Sequence, residues 1–167
     1  MPTTVESLPR SGNDALRRFL RAGATTAIVD GLFSSVLSVA FYGSTVQRLW
    51  QGVATVAFGA GSPYATAGVG ILIHVCVACT WSAIFLLLFE SSAWIRRATA
   101  SRTGVLAAAA VYGPTVWLVM SLVVIPLLTH RPTSFAIRWW VQLVGHAPCV
   151  GLPIVASIGG RRGPRVG

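Results

Sequence analysis

A chain of 167 residues with 54% hydrophobic and 10% charged side chains does not read as a soluble domain, because soluble domains carry about 25% charged residues. Lipid removes the need for a solvated polar surface. The net charge of +9 comes from thirteen arginines and no lysine; they sit in flanks and loops, where insertion topology needs them, which argues against nucleic acid as a partner.

In chain order, residues 1–19 form a polar, basic tail, with Ser11 and Asp14 spaced like a capping pair. Ala15 to Arg21 suits a helix on the membrane surface that feeds the first span. The membrane domain covers 20–160, with the first span at about 22–41. Twenty residues at 1.5 Å each cover about 30 Å of hydrocarbon. The run is too long for a signal peptide, and Asp30 in its middle also opposes that reading. Residues 46–58 have Val46, Leu49, Trp50, Val53, Val56 and Ala57 at helical spacing, with Gln47, Arg48 and Gln51 opposite. They predict an amphipathic helix on the outer interface, ended by Gly59, Gly61 and Pro63, with Tyr64 as an interfacial anchor.

The second span is expected at about 65–89 and the third at about 104–127, where Pro114 and Pro126 should kink or loosen the helix. The fourth runs from about 139 to 159, with Trp139 and Trp140 as an aromatic belt; residues 161–167 are a basic tail. The expected fold is an all-α, up-down four-helix membrane bundle. Arg10, Arg17, Arg18, Arg21, Arg96, Arg97, Arg102, Arg161, Arg162 and Arg165 then share one side, against Arg48, Arg131 and Arg138 on the other. Positive residues favour the cytoplasmic side, so both termini are expected there.

Asp30, His74 and His146 are the informative side chains, because a charge at the membrane centre costs about 2.5–3.5 kcal/mol. Counted from the outer ends, they lie about 16, 13 and 10 Å deep, close to one layer. Small or polar neighbours share their helix faces: Thr26, Ser34 and Ser38 with Asp30, Gly70, Ala78 and Ser82 with His74, Gln142 and Cys149 with His146. Span three contributes Tyr112 to this polar cluster. Three readings fit: a hydrogen-bonded network that sets helix register, with Asp30 accepting from a histidine or Tyr112; a bis-histidine haem on His74 and His146 for electron transfer; or a proton or ion path through Asp30. Cys76 and Cys79 form a CxxC deep in an apolar run, where a thiol is inert, so core packing is expected. Val29-Asp30-Gly31 in span one echoes Val111-Tyr112-Gly113 in span three, and His74 echoes His146, the pattern of a parallel two-helix repeat.

From Ala65 onward the chain resembles the YagU-like group of bacterial inner-membrane proteins. The resemblance rests on His74 with its apolar flank, Val124-Ile125-Pro126-Leu127, Arg131-Pro132, Phe135 and Gly145-His146. It implies a four-helix fold in a bacterial inner membrane and supplies no activity. No carboxylate pair, Ser/His/Asp set, phosphate loop or zinc spacing occurs in the sequence, so no catalysis and no metal are expected. The leading expectation is a non-enzymatic accessory or assembly subunit that packs in lipid against copies of itself or against a larger complex. The alternatives are a small oligomeric transporter or proton-conducting protein using Asp30, and a haem protein.

Overall fold

The structure is a computed structural model that describes residues 12–160. Arg10, Ser11 and the tail arginines Arg161, Arg162 and Arg165 lie outside the described residues, so the expected Ser11 cap does too. The elements are α1 (Gly12–Val36) with a π turn at Leu37–Phe41, α2 (Val46–Phe58), α3 (Ala67–Ser91) and α4 (Ala93–Ala98). They continue with α5 (Arg102–Val119), a π turn at Met120–Val124 and α6 (Ile125–Thr129), then α7 (Ile137–His146), a π turn at Ala147–Gly151 and α8 (Leu152–Gly159). Four stretches are long and apolar enough to cross a membrane: Gly12–Phe41, Ala67–Ser91, Arg102–Thr129 and Ile137–Gly159, of 30, 25, 28 and 23 residues. They pack as a bundle, and the chain is a multi-pass membrane protein.

Local chemistry explains most helix ends. The hydroxyls of Thr45, Thr66, Ser92 and Ser101 accept backbone N–H groups of Arg48, Val69, Ile95 and Gly104. Each satisfies a donor that the first helical turn leaves unpaired. Gly59 and Gly61 both take φ 83°, open to glycine and strained for other residues, which stops α2. Prolines loosen the later spans. Pro126 follows the Met120–Val124 π turn, and Pro148 and Pro153 lie within and just after the Ala147–Gly151 turn. A proline has no N–H for the i−4 carbonyl; in each π turn the ladder is re-formed at i−5, as from Leu152 N–H to Ala147 O. Pro114 is different, because α5 runs through it unbroken.

The separate surface helix expected at Ala15–Arg21 does not form. Nothing between Arg21 and Ala22 breaks the ladder, so these residues are the first turns of α1 itself. Their arginines turn inward to a neighbouring helix end. Arg18 Nη1 donates to Ile158 O and Arg21 Nη2 to Ser157 O, each at 2.6 Å. Arg96 likewise donates to Phe89 O and Glu90 O at the end of α3, at 3.1 and 2.7 Å. Cations at a helix C-terminus neutralise the partial negative charge of its free carbonyls. Arg17, Arg18, Arg21, Arg96, Arg97 and Arg102 thus gather at one end of the bundle, called here the basic end. Arg48, Arg131 and Arg138 lie at the far end.

Packing is uneven along the bundle. At the basic half, Phe85, Phe89, Ala109, Val155, Ile154 and Ile158 form a closed apolar core around Ala22. Spans three and four meet backbone to backbone. A Cβ on Gly113 would lie 2.0 Å from His146 O, and one on Gly151 2.2 Å from Ala109 O. Spans one and two pack together, as do spans one and four, whereas spans two and three do not pack along their backbones. Tyr112 bridges them instead, donating from its hydroxyl to Trp81 O at 2.7 Å and stacking on Phe85.

The amphipathic helix α2 lies across the far end against α3 and α6. It settles on α3 because Gly70 has no side chain; a Cβ there would lie 1.8 Å from Trp50 O. Trp50 and Ala54 are its buried residues, while Val46, expected on the apolar face, is exposed. At the first turn of α2, Val46 lies beyond the part of the helix that rests on the bundle.

Candidate functional site

Above Tyr112, the missing contact between spans two and three leaves a cleft of about 270 Å³. Spans two and three with α6 form its walls, and Val53, Val56 and Ala57 of α2 roof it. Its floor holds Thr26, Asp30 and His146, with His74 on one wall. The sequence-predicted residues Asp30, His74 and His146 therefore do share one site. Tyr112 stands outside it, its hydroxyl committed to Trp81 O. The position that echoes Asp30 in span three thus serves packing.

Each histidine's tautomer follows from its partner, because a carbonyl can only accept. His74 Nε2 lies 3.1 Å from Ala27 O and so carries a proton; its Nδ1 faces Asp30 Oδ2 at 3.9 Å. That separation suits an ion pair when the ring is charged and is too long for a hydrogen bond. His146 Nδ1 donates to Gln142 O at 2.7 Å, which leaves Nε2 as an acceptor in the neutral ring. Both rings are clamped by tryptophans, His74 by Trp50 at 5.0 Å and His146 by Trp117 at 4.9 Å between centroids. Gly31 lies beside the first clamp, where a Cβ would make ordinary contacts with His74 and Trp50 at 3.5 Å.

The expected closed network is therefore open. Asp30 is 9% exposed, yet its Oδ1 has no hydrogen-bond partner among the described residues, and neither has Oγ1 of Thr26, 2% exposed, one turn below. Neither histidine donates to the carboxyl, because both rings direct a proton to backbone carbonyls. A register-setting network would satisfy its members, since an unmet buried acceptor costs about 1–3 kcal/mol.

The haem expectation meets a related obstacle. A bis-histidine haem needs a free nitrogen from each ring; His146 has one, whereas His74 has Nε2 on Ala27 and Nδ1 turned to Asp30. Among the described residues, no group of three or more His, Cys, Asp or Glu side chains is arranged to hold a metal ion. The CxxC pair splits. Cys79 packs where a Gly23 Cβ would lie 2.9 Å from its sulfur, but Cys76 is exposed on the outer surface of span two and not in the core.

A second recess of about 560 Å³ opens at the far end. It is lined by Ser34, Ser38, Ser44, Arg48, Ser134, Arg138 and Gln142. Val53, Val56 and Trp117 line both recesses and stand between them. Asp30 thus lines a largely apolar cleft that three side chains divide from a vestibule of mixed polar and apolar walls. Trp117 was not legible as a site residue. Its one signal is the i+4 spacing from Gly113, which puts it on the face that meets span four.

Compared with known proteins, the chain matches no family model, no curated protein and no solved structure.

Proposed function

We propose that this protein is a small, non-enzymatic carrier or proton-conducting protein of a bacterial inner membrane, with Asp30 as its exchangeable acidic group. One observation carries the reading: a buried carboxyl in the middle of span one lines a cleft, and among the described residues one of its oxygens has no hydrogen-bond partner. Intramembrane carboxylates that are not locked into structural pairs mark proton and ion paths. The far-end vestibule, which carries Arg48, Arg138 and three serines of the first span and its loop, supports the same reading, because Trp117, Val53 and Val56 line both it and the cleft.

An accessory or assembly role, the leading expectation from the sequence, draws on the wide apolar perimeter of the bundle. Every spanning bundle presents such a perimeter to lipid, so the perimeter does not discriminate, whereas a buried carboxyl in a cleft does. The inner membrane and the resemblance to the YagU-like group belong to the same proposal, supported by the gathering of arginines at one end.

The test is proton flux into vesicles reconstituted with the full chain, read with an enclosed pH-sensitive dye. An imposed gradient should collapse several-fold faster with the natural protein than with Asp30→Asn. Equal rates for the two proteins would end the proposal.

A further inference from the structure

The cleft has a definite electrostatic sign. With the histidines neutral, Asp30 is the one formally charged group on its walls, and among the described residues no arginine lines it. His146 Nε2 adds a second acceptor. Trp81 and Trp117 expose indole rings to the same space, and an indole face attracts a cation. Among the described residues, the buried atoms Thr26 Oγ1 and Asp30 Oδ1 have no hydrogen-bond partner at the floor. The remaining walls are aliphatic, and the cleft opens between spans two and three, which do not pack.

We propose that this cleft binds a lipophilic organic ammonium drawn from the bilayer, its N–H group on the Asp30 carboxylate and its apolar body between spans two and three. The proposal rests on the reading of Asp30 as the exchangeable group and adds the chemical class of what exchanges there. Competing occupants fit less well. A carboxylate or phosphate head would meet Asp30 at low dielectric, where like charges repel most strongly. A bare lipid tail would leave Oδ1 unpaired. An ammonium supplies both the donor and the opposite charge, and such charge-assisted bonds are about twice as strong as neutral ones. At about 270 Å³ the cleft is just below the range of drug-sized ligand sites, about 300 to 1,000 Å³. It therefore suits one ring and a short chain, not a two-tailed lipid.

The probes share one apolar body and differ in the head: 4-phenylbutylamine, 4-phenylbutanol and 4-phenylbutyrate. Each is titrated calorimetrically into the full chain in detergent. The amine should bind, and the alcohol and the acid should bind at least about tenfold more weakly. Asp30→Asn should weaken amine binding by about tenfold or more, and Asp30→Glu should retain it. Val124→Trp, which fills the cleft away from Asp30, should lose it as well, which separates cleft binding from attraction to a charge alone. Equal binding of all three heads, full amine binding by Asp30→Asn, or no amine binding by the natural protein overturns the proposal. The flux assay separates the two readings: amine binding without Asp30-dependent flux removes the carrier and keeps the site, and flux without amine binding does the reverse.

Discussion

Asp30 sets the terms at the residue scale. A carboxyl that is 9% exposed and lacks a partner on one oxygen gives up hydration without full compensation. Groups held in that condition are stability costs tolerated for another reason. Replacing Asp30 by Asn should therefore leave the fold intact and raise its thermal midpoint in detergent, with a gain on the order of 1 kcal/mol. A loss of similar size would mean that the carboxylate is satisfied and structural after all. Two glycines give opposite expectations. Gly113→Ala puts a Cβ 2.0 Å from His146 O, against rigid backbone, and overpacking of that kind costs about 1–3 kcal/mol. Gly52→Ala meets nothing within 4 Å in the interior of α2, and should stabilise by about 0.5–1 kcal/mol. Chemical denaturation of both variants checks the pair.

At the scale of elements, the arginines do more than orient the chain. Arg18 and Arg21 tie the start of α1 to the last carbonyls of α8, and Arg96 does the same for α3. Arg18→Ala should cost about 1 kcal/mol and show as faster amide exchange over the last turn of α8, with α2 unaffected. Equal exchange in variant and parent would leave Arg18 with a topological role only. The three π turns are the other device of this scale. Two of them sit beside prolines that cannot complete the ladder, and one begins immediately after His146. Of the two prolines expected to loosen span three, Pro126 adjoins a π turn and Pro114 lies in unbroken helix, and the form of the loosening was not legible. Whether a freed carbonyl kinks the helix or is taken up by the next N–H depends on the packing of the neighbouring span.

The whole molecule shows an approximate two-fold plan with one interface left open. Gly31 beside His74 and Gly113 beside His146 occupy matching places in the two halves, as the sequence echo suggests. A symmetric bundle would pack span three on span two as closely as span one packs on span four; only the second of these contacts forms. The cleft is the vacancy that the broken symmetry leaves. All six described arginines of the basic end share a side, so a reporter on either terminus should be active in the cytoplasm. One inserted at Ser62 or near Pro132 should be active outside. Opposite placement of the two terminal reporters would mean an odd number of crossings and dissolve the bundle.

Four spans, the ends of the last three within a few residues, the α2 amphipathic helix and the grouping of Asp30, His74 and His146 were legible in the amino-acid order, whereas the start of the first helix at Gly12 was not. Each depends on hydropathy and helical periodicity, which act through neighbours along the chain. Who satisfies whom was not legible. That Tyr112 reaches Trp81 and not Asp30, that both histidines turn a proton to backbone carbonyls, and that spans two and three stay apart are decided by where glycines at 70, 113 and 151 let backbones approach. Those contacts join residues far apart in sequence and are fixed by the shape of the packed bundle, so no periodicity within one helix reveals them.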